Sequence, residues 1–144
     1  MNELQDIFFK KIEEHTYGIY KKKAFFHSVQ VSAICQKMAL ERNLDIEIAG
    51  IMGLFHDYSQ FIRHNSFEHA HYSALMTMEI LDQCHYPKEK AAIIINAISC
   101  HSDKEHVDDE YSEILKDADV LAQYMSEPDA VFKKSYQKRI LKYI

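Results

Sequence analysis

Apolar side chains recur along this chain at the three- and four-residue spacing of helices buried on one face. Leu4, Ile7, Phe8 and Ile12 form a first stripe, which ends near residue 15, ahead of Gly18 and the basic run Lys21 to Lys23. Val31, Ile34 and Met38 mark a second helix from about Ala24 to Arg42. Asp45 suits the N-cap of a third, IEIAGIMGLFHDY, in which Gly50 and Gly53 permit close approach of a neighbour. The polar residues from Gln60 to Ser66 read as a connection. Asn65 with Glu68 three residues on resembles a capping box that opens a fourth helix running to about Gln83. Pro87 suits the first turn of a fifth, through Ala91, Ile94 and Ile98 to about His101. The acidic stretch DKEHVDDE reads as a solvated loop, after which Ile114, Ala118, Leu121 and Met125 stripe a sixth helix. Pro128 opens a seventh, with Phe132, Tyr136, Ile140 and Tyr143 inward. No strand-like alternation and no internal repeat stands out. The pattern predicts an all-α fold of about six to seven helices, in a single domain over residues 1–144.

Composition sharpens this picture. With 3 glycines and 2 prolines in 144 residues, 47% of them hydrophobic and 27% charged, a turn-rich sandwich or a disordered chain is excluded. The net charge of −5 argues against general attraction to nucleic acid or anionic lipid, so a phosphate-bearing ligand must be held locally. The longest uncharged apolar run, Ile48 to Phe55, falls well short of the ~20 residues that cross a bilayer. An acidic N-terminal stretch, MNELQDIFFKKIEE, is unlike a signal peptide, which points to a cytoplasmic, membrane-free protein. Cys35, Cys84 and Cys100, odd in number and widely spaced, read as reduced thiols.

The unusual item is a count of nine histidines. His27 stands four, seven and eleven residues before Val31, Ile34 and Met38, in line with the buried face of its helix. His56 follows Met52 by four, His101 follows Ala97 by four, and His69 precedes Ser73 and Met76 by four and seven. Four predicted helices therefore aim an imidazole inward. Asp57 adjoins His56, and Asp119 lies one residue past the stripe position Ala118. Buried carboxylates require a cation or several donors, and Lys and Arg concentrate elsewhere, at 10–11, 21–23 and 133–142. Imidazoles and carboxylates converging between helices are how bundles build metal sites. His15, His85 and His106 read as surface residues, with His64 and His71 between the two groups.

The order His27, His56-Asp57, Asp119 resembles the H…HD…D signature of the HD-domain superfamily. FHDYSQ is similar to its central segment and KDADVL to its closing one, over about Ala24 to Gln123. EHAHYSA and AIIINAISCH are similar to the segments that supply two further histidines in members holding two metals. The resemblance implies His27, His56, Asp57 and Asp119 around one metal and His69, His101 and Asp57 around a second, with Asp57 bridging; His71 is the alternative to His69. In length and ligand spacing the chain looks most like small stand-alone members, including bacterial HD-type diadenosine tetraphosphate hydrolases. It departs from them at Gln60, where they carry Lys or Arg, and at Ala70, where they often carry Gly. No GYP segment follows His101, and Ser59-Gln60 stand where guanosine polyphosphate hydrolases have a Glu-Asp pair.

The activity this implies is hydrolysis of a phosphoester or phosphoanhydride in a nucleotide or other small phosphorylated molecule, with His56 and Asp57 at the catalytic centre. A mixed nitrogen and oxygen donor set favours iron, manganese, cobalt or zinc, with magnesium also admitted. No Gly-rich phosphate loop or nucleophile elbow is present in the sequence. Arg63 and Lys104, each a few residues after a ligand histidine, are candidates for binding substrate phosphate. Lys21 to Lys23 read first as an exposed turn and second as an attractor for an anionic substrate. Two rivals share the resemblance: a di-iron oxygenase with the same ligand set, and a non-catalytic regulatory domain. Oligomeric state is left open.

Overall fold

Leu4, Phe8 and Ile12, one turn apart, are buried along α1 (Asn2–His15), whose last turn is closed by the Thr16 hydroxyl donating to the Ile12 carbonyl at 2.6 Å. The computed structural model describes residues 2–144 and is helical throughout, with no strand among the described residues. After α1 come α2 (Gly18–Glu41), α3 (Ile46–Phe55), α4 (Tyr58–Arg63), α5 (His69–Gln83), α6 (Lys88–Cys100), α7 (Glu110–Ser126) and α8 (Lys134–Ile140). No described helix is long and apolar enough to cross a membrane.

At the centre lies α3, buried from Ile48 to Phe55 on every face and capped by Asp45, whose carboxylate accepts from the amides of Glu47 and Ile48. The long α2 crosses it closely. A Cβ added at Gly53 would meet the Ser32 Cα at 2.7 Å, and the Ser32 hydroxyl donates to the Gly50 carbonyl at 2.7 Å. Phe8, Phe55 and Tyr58 pack ring to ring beneath, at centroid distances of 5.2, 5.3 and 6.0 Å. On the far side α7 carries Ile114, Leu115, Ala118 and Ala122 into the same core.

Four local readings are corrected. The break at Gly18 is sharper and earlier than a helix start near Ala24: Gly18 takes φ +65, and α2 begins there with the lysines inside it. The connection read over 60–66 is partly helical, as α4, because Tyr58, Ser59 and Phe61 are buried on one side. Asn65 does not cap α5. Its side chain accepts from the Phe67 amide two residues on, and the chain turns into α5 through Glu68 at φ 43. Pro128 lies in a turn ahead of α8 rather than in its first turn.

The acidic loop is also more than a solvated strap. The fully buried Lys116 donates to the His106 carbonyl at 2.8 Å and to Asp108 at 2.6 Å. From α8, Arg139 donates to Asp117 at 2.8 Å, to Glu113 at 3.0 Å and to the carbonyls of Lys104 and His106. Tyr143 adds a 2.6 Å bond to Asp117. Buried charges are tolerated only when paired, and here the pairing fastens the loop and α8 onto α7.

Candidate metal centre

Helix ends deliver most of the site. His56 and Asp57 occupy the junction of α3 and α4, His69 is the first residue of α5, and His101 is the C-cap of α6. His27 on α2 and Asp119 on α7 face that junction from mid-helix. Their donor atoms fall into two groups, each within 4.8 Å: His27, His56, Asp57 and Asp119 in one, Asp57, His69 and His101 in the other.

Asp57 belongs to both groups, one oxygen to each. Its Oδ2 lies 3.1 Å from His56 Nε2 and 3.5 Å from His27 Nε2, while Oδ1 lies 3.2 Å from His101 Nε2 and 3.3 Å from His69 Nε2. Asp119 Oδ1 is 3.1 Å from His27 Nε2 and 3.4 Å from His56 Nε2. His71 points away, exposed against Tyr72, so His69 is the α5 histidine that faces Asp57.

The backbone sets the tautomers. His56 Nδ1 lies 2.7 Å from the Gly53 carbonyl and His101 Nδ1 lies 2.7 Å from the Ile98 carbonyl. A carbonyl only accepts, so both Nδ1 atoms are donors and each neutral ring turns its Nε2 lone pair toward carboxylate oxygen. His27 and His56 likewise meet Nε2 to Nε2 at 3.2 Å. Lone pairs cannot face one another at this range in a dry site without a positive charge between them, either a proton or a metal ion. Neutral imidazole oriented through its second nitrogen, opposite carboxylate, is the donor set a divalent transition metal takes. The six side chains therefore fit the metal that such a cluster implies.

Ionisation reflects the same crowding. Burial alone would lower His56, yet the charges of Asp57 and Asp119 outweigh it and push the ring up to about 10. His27 is raised in the same way, burial opposing and Asp119 and Asp57 prevailing. His69 is raised chiefly by its bond to Asp57. His101 moves down, because burial dominates there. Both carboxyls would rise through burial, but His56 and its neighbours hold Asp57, and Lys104 with the imidazoles holds Asp119, well below the usual range. Without a metal, protons on His27, His56 and His69 supply the missing positive charge.

The two residues proposed for substrate phosphate sit differently. Lys104 is turned inward, its side chain 3% exposed, with Nζ donating to Asp119 Oδ2 at 2.9 Å and to the His101 carbonyl. Arg63 is exposed, its guanidinium 3.8 Å above the Tyr72 ring, and is not among the residues lining the cavity over the site. That cavity, about 1230 Å3, has His27 and Asp57 on its floor. One wall is the α2 face Ile19, Lys22, Lys23, Phe26 and Gln30; the other comes from the end of α7 and the turn into α8, with Phe132, Lys133 and Tyr136. Only Phe26 and Gln30 of the α2 wall fall in the helix expected from about Ala24; Ile19, Lys22 and Lys23 join it because α2 starts at Gly18. The second wall depends on how the chain folds back after residue 126 and carries no motif.

A family model for the HD domain matches residues 24–124. The chain belongs to the HD-domain family. Among solved structures, the HD-domain chain is similar to a predicted HD superfamily hydrolase from an uncultured Thermotogales bacterium. The two are 20% identical with a TM-score of 0.67, over 95% of this chain and 83% of the other, and at that identity the likeness shows a shared fold. No curated protein matches the chain.

Proposed function

We propose that this HD-domain protein is a metal-dependent phosphohydrolase. It cleaves a phosphoester or phosphoanhydride bond of a nucleotide or another small phosphorylated molecule. The observation that carries the reading is the division of Asp57 between two donor groups, one oxygen to each, which suits two divalent ions side by side. Iron, manganese, cobalt or zinc matches the nitrogen and oxygen donors. Bound there, such ions supply Lewis acidity toward phosphoryl oxygens and a water activated near neutral pH. The protein's own part is to hold His56 and His101 in one tautomer through backbone carbonyls and to fix Asp57 between the groups. The walls of the cavity then dock the rest of the substrate. Its volume exceeds the ~300–1000 Å3 of common small-molecule sites and leaves room for more than a phosphate group. The hydrolase name carried by the Thermotogales structure agrees with this reading.

The test is metal analysis of the purified protein together with a screen of phosphate esters, dinucleoside polyphosphates and nucleotides under added manganese(II) or iron(II). Asp57→Ala is expected to lose bound metal and turnover while its helical circular dichroism persists. Full turnover in that variant sinks the site. Iron-dependent oxygen uptake without phosphate release assigns the oxygenase chemistry instead.

A further inference from the structure

Lys104 stands three residues after His101, in a loop that Asp103 folds back by accepting from the amides of Glu105 and His106. Its ammonium is buried, and a buried ammonium persists only where it is fully paired. Its partners are Asp119 Oδ2 at 2.9 Å and the His101 carbonyl, with the Tyr136 ring centroid 5.6 Å away. Lys104 thus touches one residue of each donor group. Asp119 is divided by it: Oδ2 belongs to the lysine, and Oδ1 alone faces His27 and His56. The loop is locked from behind, since the largely buried Arg139 donates from Nε to the Lys104 carbonyl at 3.1 Å.

Resting on the metal-site reading above, we propose that Lys104 is a positioning residue of the metal centre, not a substrate ligand. It keeps Asp119 a one-oxygen donor and acts as a built-in counter-cation that weakens metal binding. The charge balance carries this. Six donors with neutral imidazoles bring two negative charges, from Asp57 and Asp119, and Lys104 cancels one of them. A site with two uncompensated carboxylates grips divalent ions harder. A fixed cation at hydrogen-bond distance from a ligand loosens that grip and forbids two-oxygen coordination by Asp119.

The experiment compares manganese(II) binding by titration, with bound ions per chain, in the wild type and in Lys104→Gln, Lys104→Met and Lys104→Arg. Lys104→Gln retains a donor for Asp119 without the charge, which protects the comparison if the methionine variant fails to fold. The glutamine and methionine variants are expected to bind about tenfold more tightly. That scale comes from repulsion between a unit charge and a divalent ion a few ångströms apart, even at water-like dielectric. Lys104→Arg stays near the wild type. Unchanged or weaker binding in Lys104→Gln overturns the proposal. A raised KM on the best substrate of the screen, with unchanged manganese(II) affinity, overturns it in favour of a phosphate ligand. The same titrations are made with iron(II), cobalt(II) and zinc(II); if the wild type binds none of the four ions, or binds them as well after Asp57→Ala, the metal centre itself is wrong.

Discussion

His56 and His101 share one arrangement: each donates from Nδ1 to a carbonyl three residues earlier on its own helix, so each Nε2 turns to the same carboxylate. A consequence at this scale is a pH dependence whose sign follows from the ionisation shifts. His56 is raised to about 10, so its pairing with the carboxylates stabilises the metal-free protein fully below about 6.5 and is lost as pH climbs through about 10. Asp57 and Asp119 are depressed, so their contribution is present above about 3.9 and is lost as pH falls through their folded values. These are two views of one set of pairs. Chelator-treated protein is expected to have its highest Tm between about pH 4 and 6.5. Metal binding must displace the imidazole protons, so calorimetry in two buffers of different ionisation heat should show proton release. The Tm gained on adding manganese(II) should be larger at pH 8 than at pH 5. An equal gain at both would mean that the ion binds elsewhere.

At the scale of elements, the site depends on how closely α2 and α3 approach, since they carry His27 and His56. Gly53 sets that distance. A methyl group there meets Ser32 backbone, which cannot swing aside as a side-chain end would. Gly53→Ala is expected to cost about 1–3 kcal/mol in denaturant unfolding. It should also weaken metal binding, because the two helices must part and His27 moves from His56. Unchanged stability in that variant would mean the helices do not touch there. Much of this layer was legible beforehand. The stripes of α1, α2, α3 and α6 matched their buried faces, and Asp45 capped α3. Where the reading failed, a tertiary contact outweighed a local signal: α4 forms in a polar stretch because Phe61 and Ser59 find the core, and the Asn65 side chain bonds Phe67 instead of a helix amide.

For the whole molecule, the cavity is an asymmetric one, with Asp57 and His27 at the floor and three lysines, Lys22, Lys23 and Lys133, against one acid, Glu127, on its walls, in a protein whose net charge is −5. Local positive charge on the lysines, together with any metal ion that the floor would hold, would offset the mild overall repulsion of the proposed anionic substrate. Replacing Lys22 and Lys23 together by Ala is expected to raise KM about fivefold at low salt with little change in kcat, and the gap should close as ionic strength rises. A loss confined to kcat would place the lysines in the chemistry instead of in capture.

What the sequence determined alone was whatever follows from period and adjacency. Helical spacing put His27, His56, His69 and His101 on inward faces and marked Asp57 and Asp119 as their neighbours, but the aim of Asp57 was decided by the α3–α4 junction that carries it. The partner of each charge was decided in three dimensions. Lys104 lies in the stretch DKEHVDDE, which reads as solvated, and Lys116 between the stripe positions Ile114 and Ala118 of α7, yet both are buried against carboxylates, and Asp117 meets Arg139 from a helix 22 residues away. Pairing energy depends on distance between side chains that periodicity cannot bring together. A lysine that would have been free to meet substrate therefore holds Asp119.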